Sequence, residues 1–315
     1  MSDSVIVTGA AGFIGRWVVA ELLDRGYTVQ GIDDLSNGAR ENVAAFLDDE
    51  RFDLRTVDVR DPEAVRDAFD EGPSVCIHLA AKIDVQESLD DPGSHFETNV
   101  VGTQHVLDAC RATDTRLALV GTCMVYDMAD SASGIDEDHA VDPASPYAGT
   151  KLAAEDMARS YYHGYDLPVT VLRPFNTYGP FQKTGMAGGV VSIFTSRDLD
   201  GKPLKIYGDG TQTRDLMYVT DCARFIVDAA FSDAAVGEVI NAGTGYDVSI
   251  NDLAELVASE GRTIEHVEHH HPQSEVDKLR CDPTKAQEIL GWEPRVSLEE
   301  GVDRLREWLA TRTNE

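Results

Sequence analysis

Lysine is scarce in this chain. Seven occur in 315 residues, and with arginine they bring 27 positive charges against 56 carboxylates, a formal net charge of −29. So acidic a surface repels nucleic acid and anionic membranes, and neither is expected as a partner. It repels the phosphates of a nucleotide as well, so any such site must be locally basic or built from backbone donors. Aspartates lie along the whole chain, a pattern suited to a cytoplasm of very high salt, where screening tolerates the self-repulsion. The other reading of the same balance is an ordinary acidic enzyme.

Long apolar runs are missing too. No stretch of 18 or more apolar residues occurs, and Met1-Ser2-Asp3-Ser4 leads directly into a strand pattern. Neither a transmembrane helix nor a signal peptide is expected, and the chain reads as cytoplasmic. Cysteine is sparse: five, at positions 76, 110, 123, 222 and 281, odd in number and without a Cys-x-x-Cys pair, which argues against a disulfide framework. The cluster His266, His269, His270 and His271 has no carboxylate or cysteine at convincing ligand spacing, so no metal is expected. What the chain does have is length and 42% hydrophobic residues, enough for about two domains or one large α/β unit.

The first apolar run, Ser4-Val5-Ile6-Val7, is followed by Thr8-Gly9-Ala10-Ala11-Gly12-Phe13-Ile14-Gly15 and an amphipathic helix from about Arg16 to Arg25. Strand, glycine turn and helix form the context of a dinucleotide fingerprint. Gly9 permits the tight turn, Gly12 lets backbone approach a pyrophosphate, and Gly15 lets helix and strand pack closely. The pyrophosphate would sit on the helix N-terminus. The next strand, Thr28 to Ile32, ends in Asp33-Asp34, with Asn37 and Gly38 in the loop beyond. An acid there accepts hydrogen bonds from the adenosine ribose and repels a 2′-phosphate, so Asp33 specifies NAD rather than NADP.

Further strands are expected at Phe52 to Val57, Ser74 to Ala81, Leu117 to Val120 and Pro168 to Pro174. Helices between them begin near Pro62, with Asp61 or a neighbour as cap, and cover Gly93 to Ala112, with Asn99 among apolar residues. His78 reads as a satisfied buried histidine. The alternation predicts a doubly wound parallel sheet of the Rossmann kind, with ligands at the strand C-termini. A dinucleotide-binding domain is expected over 1–175, with a returning segment near 215–242, and a smaller mixed α/β substrate region over 176–315. In the latter, 175–180 reads as a turn, 190–199 and 250–260 as helices, and 204–207 as a strand.

Tyr147 and Lys151 stand four apart in a helical segment, so their side chains share one face. A phenol with a pKa near 10 is a poor base at neutral pH, but an adjacent ammonium favours the phenolate and can bring Tyr147 into working range.

Taken together, Thr8-Gly9-x-x-Gly12-Phe13-Ile14-Gly15, Asp58, His78-Leu79-Ala80-Ala81, Asn99, Tyr147-x-x-x-Lys151, Arg173-Pro174-Phe175-Asn176, Gly208-Asp209-Gly210 and Arg214-Asp215 resemble the extended short-chain dehydrogenase/reductase superfamily, in particular its nucleotide-sugar epimerases and dehydratases. The resemblance covers nearly the whole chain. It implies NAD as cofactor, with Phe13 and Ile14 along the pyrophosphate, Asp58 and Val59 at the adenine, and Leu79, Ala80 and Ala81 along its length. Asn37, Gly38, Asn99 and Phe175 join the same set. Lys151 would hold the nicotinamide ribose while lowering the Tyr147 pKa, and Thr122 would hydrogen-bond the reacting hydroxyl. Asn176 and Arg214 would bind the diphosphate of a UDP-sugar. A homodimer through the helices around 93–112 and 146–165 is implied as well.

The reaction class turns on positions 123 and 124. Dehydratases of this superfamily have Asp-Glu after the threonine, and decarboxylases a Glu two before the tyrosine; this chain has Cys123 and Met124 before Tyr126. What remains suffices for hydride transfer at carbon 4: Tyr147 takes the hydroxyl proton, a 4-keto sugar rotates, and the hydride returns to its other face. The expectation is therefore a UDP-sugar 4-epimerase of the glucose/galactose type. A uronate 4-epimerase, a decarboxylase and a non-catalytic NAD-sensing protein are the alternatives. Leu279 falls near a position that admits or excludes an N-acetyl group. Asp127 replaces the usual glycine, and His271-Pro272-Gln273 replaces an Arg-Pro-Gly diphosphate contact.

Overall fold

The computed structural model describes residues 4–127, 134–184, 188–268 and 278–312. Its centre is a seven-stranded sheet built from β1 (Ser4–Thr8), β2 (Thr28–Asp33), β3 (Phe52–Thr56), β4 (Val75–His78), β5 (Arg116–Val120), β6 (Val169–Pro174) and a late strand, Val239–Ala242. The order is late strand, β6, β5, β4, β1, β2, β3, and every pairing is parallel. The chain runs outward from β1 to β3, then crosses back to β4 on the other side of β1. Order reverses there, so a crevice opens above the C-terminal ends of β1 and β4.

Parallel strands covered on both faces must be apolar throughout, and residues of period two divide between the faces. In β1, Val5 and Val7 join one core with Val18, Val19 and Leu22 of the helix Phe13–Asp24 and with Phe225 and Ile226 of the helix Val219–Phe231. Ile6 faces the second core, with Val65 and Phe69 of the helix Pro62–Phe69, Val106 and Leu107 of Gly102–Thr113, and Ala158 of Pro146–Tyr165. Asp61 caps the helix Pro62–Phe69, accepting from the N–H groups of Glu63 and Ala64.

A third core, including Tyr178, Phe194, Leu204, Leu253 and Leu305, organises the smaller region. Three expectations change here. The turn expected at 175–180 contains a strand, Asn176–Tyr178, paired in parallel with Leu216–Tyr218; three residues are too few to show an alternation. The helix expected over 93–112 is broken by a π-helical turn, Glu97–Val101, which carries Asn99. The helix from Ile250 ends at Val257, short of 260.

All five cysteines are free and buried. His266 Nδ1 lies 3.0 Å from the Gly208 carbonyl, whereas His269, His270 and His271 fall outside the described residues. Among the described residues no group of three or more His, Cys, Asp or Glu is arranged to hold a metal, and no helix is long and apolar enough to cross a membrane.

Candidate active site

The cradle at the crevice is made by close approach of backbone. Gly9 has φ +70°, and a Cβ there would lie 2.9 Å from Ala80 N; one at Gly15 would lie 2.0 Å from Gly9 O. The helix starting at Phe13 has Gly12 as its N-cap and no side-chain cap, so its first N–H groups are left for an outside acceptor. A pyrophosphate suits that end by both hydrogen bonding and helix dipole.

Asp33, at the end of β2, is 7% exposed; its carboxylate accepts from Ala11 N at 2.9 Å and Leu35 N at 2.8 Å. Burial pushes its pKa up, and the two N–H bonds pull against that. Two carboxylate oxygens have lone pairs for a ribose diol besides these bonds. The loop beyond folds back on the glycine turn: a Cβ on Gly38 would lie 2.8 Å from Ala11 C and O, and Asn37 Oδ1 accepts from Lys183 Nζ. Asp58 presents a paired carboxylate, held by Arg60 Nη2 at 2.6 Å, while Val59 is buried beneath Gly102.

The strip Leu79 to Ala81 is fixed by proton counting. Thr8 Oγ1 accepts from Leu79 N and Ala80 N, each at 3.0 Å, so its own proton goes to His78 Nδ1 at 2.6 Å. His78 Nε2 must then donate to Thr103 Oγ1 at 3.0 Å, and Thr103 to the Asn99 carbonyl at 2.6 Å. Burial, with the nearby Lys151 charge, lowers the His78 pKa to about 3, so the ring is neutral. Asn99 stands behind this strip. Its Oδ1 accepts from Lys82 N at 2.8 Å, and its Nδ2 donates to Lys82 O at 2.9 Å and Thr150 Oγ1 at 3.0 Å. That amide locks the turn after β4 to the helix Pro146–Tyr165.

That helix starts at Pro146 after Ser145, whose Oγ accepts from Ala148 N at 3.2 Å. Its first turns bring Tyr147 near Thr122, close enough for the threonine hydroxyl to pull the phenol pKa down. Thr122 follows β5 and its Oγ1 also accepts from Met124 N at 3.2 Å. Lys151 donates to the carbonyl of Val120, the last residue of β5, at 2.7 Å. Tyr147, Thr122 and Lys151 are 8%, 8% and 6% exposed, so all three are nearly buried yet keep a small accessible face.

The charges differ from the expectation. Burial pushes the Tyr147 phenol up to about 12, with the Thr122 hydroxyl opposing, and lowers Lys151 to about 8, with Glu155 opposing. Lys151 aims at a backbone carbonyl instead, so the protein alone does not bring Tyr147 into range. Cys123 is no more reactive: burial pushes its thiol up to about 12, and it packs with Phe175, Leu279 and Cys281. That cluster places Phe175, 2% exposed, with Cys123, the residue after Thr122, and with Leu279.

On the substrate side, Asn176 Nδ2 is buried with no partner. A buried donor left unmet costs about 1–3 kcal/mol, which an acceptor brought there would recover. Arg214 lies on the short strand Thr213–Arg214. Its neighbour Asp215 is fully buried and accepts from Thr244 N and Oγ1 at 2.7 Å each, Gly245 N at 2.9 Å and Cys281 N at 3.1 Å, which pins the strand. The sequence reading missed Glu155, although it stands four residues after Lys151 on the same helix, and gave Arg173 no role of its own.

The GDP-mannose 4,6 dehydratase family matches residues 6–305 of the chain. UDP-glucose 4-epimerase of Mycolicibacterium smegmatis is 37% identical, over 98% of this chain and 99% of that protein. Among solved structures, Pal from Bacillus thuringiensis is 51% identical, with a TM-score of 0.96, over 98% of this chain and 99% of that one. UDP-glucuronic acid 4-epimerase from Bacillus cereus, in complex with UDP-glucuronic acid and NAD, is 30% identical with a TM-score of 0.90, over 98% and 99%.

Proposed function

This chain belongs to the GDP-mannose 4,6 dehydratase family of extended short-chain dehydrogenases/reductases, and from that premise we propose that it binds NAD and epimerises a UDP-sugar at carbon 4. The observation that carries the reading is the grouping of nearly buried Tyr147, Thr122 and Lys151 at the end of β5, where Lys151 is held on the Val120 carbonyl, with Cys123 and Met124 where an added acid or base would stand. Tyr147 accepts the carbon-4 hydroxyl proton and later returns it, while Thr122 orients that hydroxyl and Lys151 holds the nicotinamide ribose. When bound, NAD would supply a reversible hydride acceptor and a positive charge favouring the phenolate, added to that of Lys151. Gly9, Gly12, Phe13, Ile14 and Gly15 cradle the pyrophosphate, and Asp33 takes the ribose. Asn176 and Arg214 take the UDP diphosphate, one by an unmet amide donor and the other by charge.

The glucose/galactose pair is the first substrate choice, supported by the Mycolicibacterium relative. A uronate is the second, supported by the likeness to the Bacillus cereus enzyme. We place residues 1–175, with the helix Val219–Phe231 and the strand Val239–Ala242, in the cofactor domain and the remainder around the sugar. A cytoplasm of high salt and a homodimer through the helices around 93–112 and 146–165 complete the reading; Phe96 and Tyr165 in those segments are exposed. Proton NMR of the protein in molar KCl with UDP-glucose, UDP-N-acetylglucosamine or UDP-glucuronate, without added NAD, tests it. A carbon-4 epimer establishes reaction and retained cofactor together. Silence with all three, with and without NAD, refutes the epimerase.

A further inference from the structure

One buried ion pair lies directly behind this site and touches none of the groups assigned to substrate or cofactor. Glu155, 1% exposed, stands one helical turn after Lys151, and Arg173, 5% exposed, projects from β6. Arg173 donates to Glu155 Oε2 from Nη2 at 2.6 Å and Nε at 2.9 Å. Its guanidinium also lies 4.7 Å from the centre of the Tyr126 ring, whose hydroxyl donates to Asn241 Oδ1 at 2.7 Å.

As a stability device this pair is a poor choice. A buried ion pair at best breaks even against well-packed apolar side chains. Here the other carboxylate oxygen, Oε1, is buried with no partner, a further cost of about 1–3 kcal/mol. The backbone has also been shaped around that oxygen: a Cβ on Gly121 would lie 2.1 Å from it. Gly121 joins Val120, whose carbonyl accepts from Lys151, to Thr122, beside which Tyr147 lies, and its own N–H donates to Leu172 O at 2.6 Å. The unmet oxygen is thus directed at the link between the two catalytic contacts.

We propose that Glu155, held by Arg173, is the positioning residue of this site: it keeps Lys151 an ammonium on the Val120 carbonyl and fixes the Val120–Thr122 turn against the helix. Residues at i and i+4 of a helix are neighbours, and although Glu155 bonds Arg173 and not Lys151, its charge acts on the lysine through a buried medium that screens little. The other ionisable groups around the pair are Tyr147 and Asp156 on the same helix, His78 on β4, and Cys123 and Tyr126 beyond β5. His78 is neutral and Cys123 and Tyr126 are protonated; burial pushes the Glu155 carboxyl up, and the Arg173 guanidinium bonded to it opposes that and favours the carboxylate, so Glu155 is the buried charge that acts on Lys151. Burial lowers the Lys151 pKa and Glu155 opposes that, in the direction the proposal needs.

The inference rests on the catalytic assignment of Lys151, but its test reads the lysine itself. With only seven lysines, ¹³Cε-labelled full-length protein gives a countable spectrum, and Lys151→Arg identifies the signal. Glu155→Gln is expected to lower the Lys151 titration midpoint by about one unit, since it removes the buried opposite charge that favours the ammonium. Glu155→Asp should restore most of it. If Glu155→Gln does not fold because Arg173 is left unpaired, the double variant Glu155→Gln/Arg173→Met removes both charges and should show a smaller shift in the same direction. An unchanged midpoint in the folded variants overturns the proposal, as does failure of both to fold, which would assign the pair to stability alone. In the epimerase assay the alkaline limb of kcat should move with the midpoint while KM stays. A midpoint that moves in a protein without epimerase activity sinks the reaction assignment and leaves the positioning role standing.

Discussion

Gly15 and Gly164 offer the same substitution with opposite outcomes. Alanine at Gly15 would put Cβ 2.0 Å from Gly9 O, 2.8 Å from Gly9 C and 3.0 Å from Ala10 Cα, all of them backbone atoms that cannot rotate away. Ordinary carbon contacts begin near 3.5 Å, so helix and glycine turn must separate by about 1.5 Å. Overpacking of this kind costs about 1–3 kcal/mol. An unfolding entropy of about 2.1 cal/mol/K per residue makes that roughly a 2–5 °C fall in Tm for a chain of this length. The larger effect should be on the cofactor, because displacement on the ångström scale ruins a cradle built from backbone donors. At Gly164, in the helix Pro146–Tyr165, an added Cβ meets nothing within 4 Å, and alanine should gain the usual 0.5–1 kcal/mol, or about 1 °C. Calorimetry in molar KCl reads both, and NAD released by denaturing the gel-filtered protein reads retention. A Gly15→Ala protein with unchanged Tm and a full complement of NAD would refute the packing argument.

Tyr147→Phe should lower kcat by about 10²–10⁴ while NAD and UDP-sugar still bind, because it removes one proton acceptor and little volume; an unchanged rate would end the catalytic assignment. Lys151, lowered to about 8, is an ammonium below that pH and loses its charge above it, so kcat should decline as pH rises through about 8. A profile that climbs steadily toward pH 10 would contradict that sign. Arg214→Met should raise KM for UDP-sugars by about tenfold or more with little effect on kcat, the pattern of a binding contact equal in ground and transition states. Net charge −29 should make the fold salt-dependent, with Tm rising from 0.1 to 2 M KCl as self-repulsion is screened; a flat response would return the chain to the ordinary acidic enzymes.

The sheet was legible because its information is local and repeated. Val5, Ile6 and Val7 form a continuous apolar run, as a strand buried on both faces must, and the glycine turn after them has one structural use. The tyrosine and lysine were legible as one helical face, and the resemblance supplied the threonine across from them. What stayed hidden was long-range. Asn176–Tyr178 is a strand only because Leu216–Tyr218 lies beside it, forty residues later. Glu155 looked like any acid on a helix of a chain rich in acids, and only the fold brings Arg173 and Gly121 around it. The charge of Lys151 was hidden for the same reason: spacing places an ammonium near a phenol, but burial of both decides their pKa values, and it moves each toward its neutral form. A Tyr-x-x-x-Lys pair therefore specifies geometry. Its protonation state is set by the groups behind it, which is why the carboxylate one turn further along the helix is the residue to perturb.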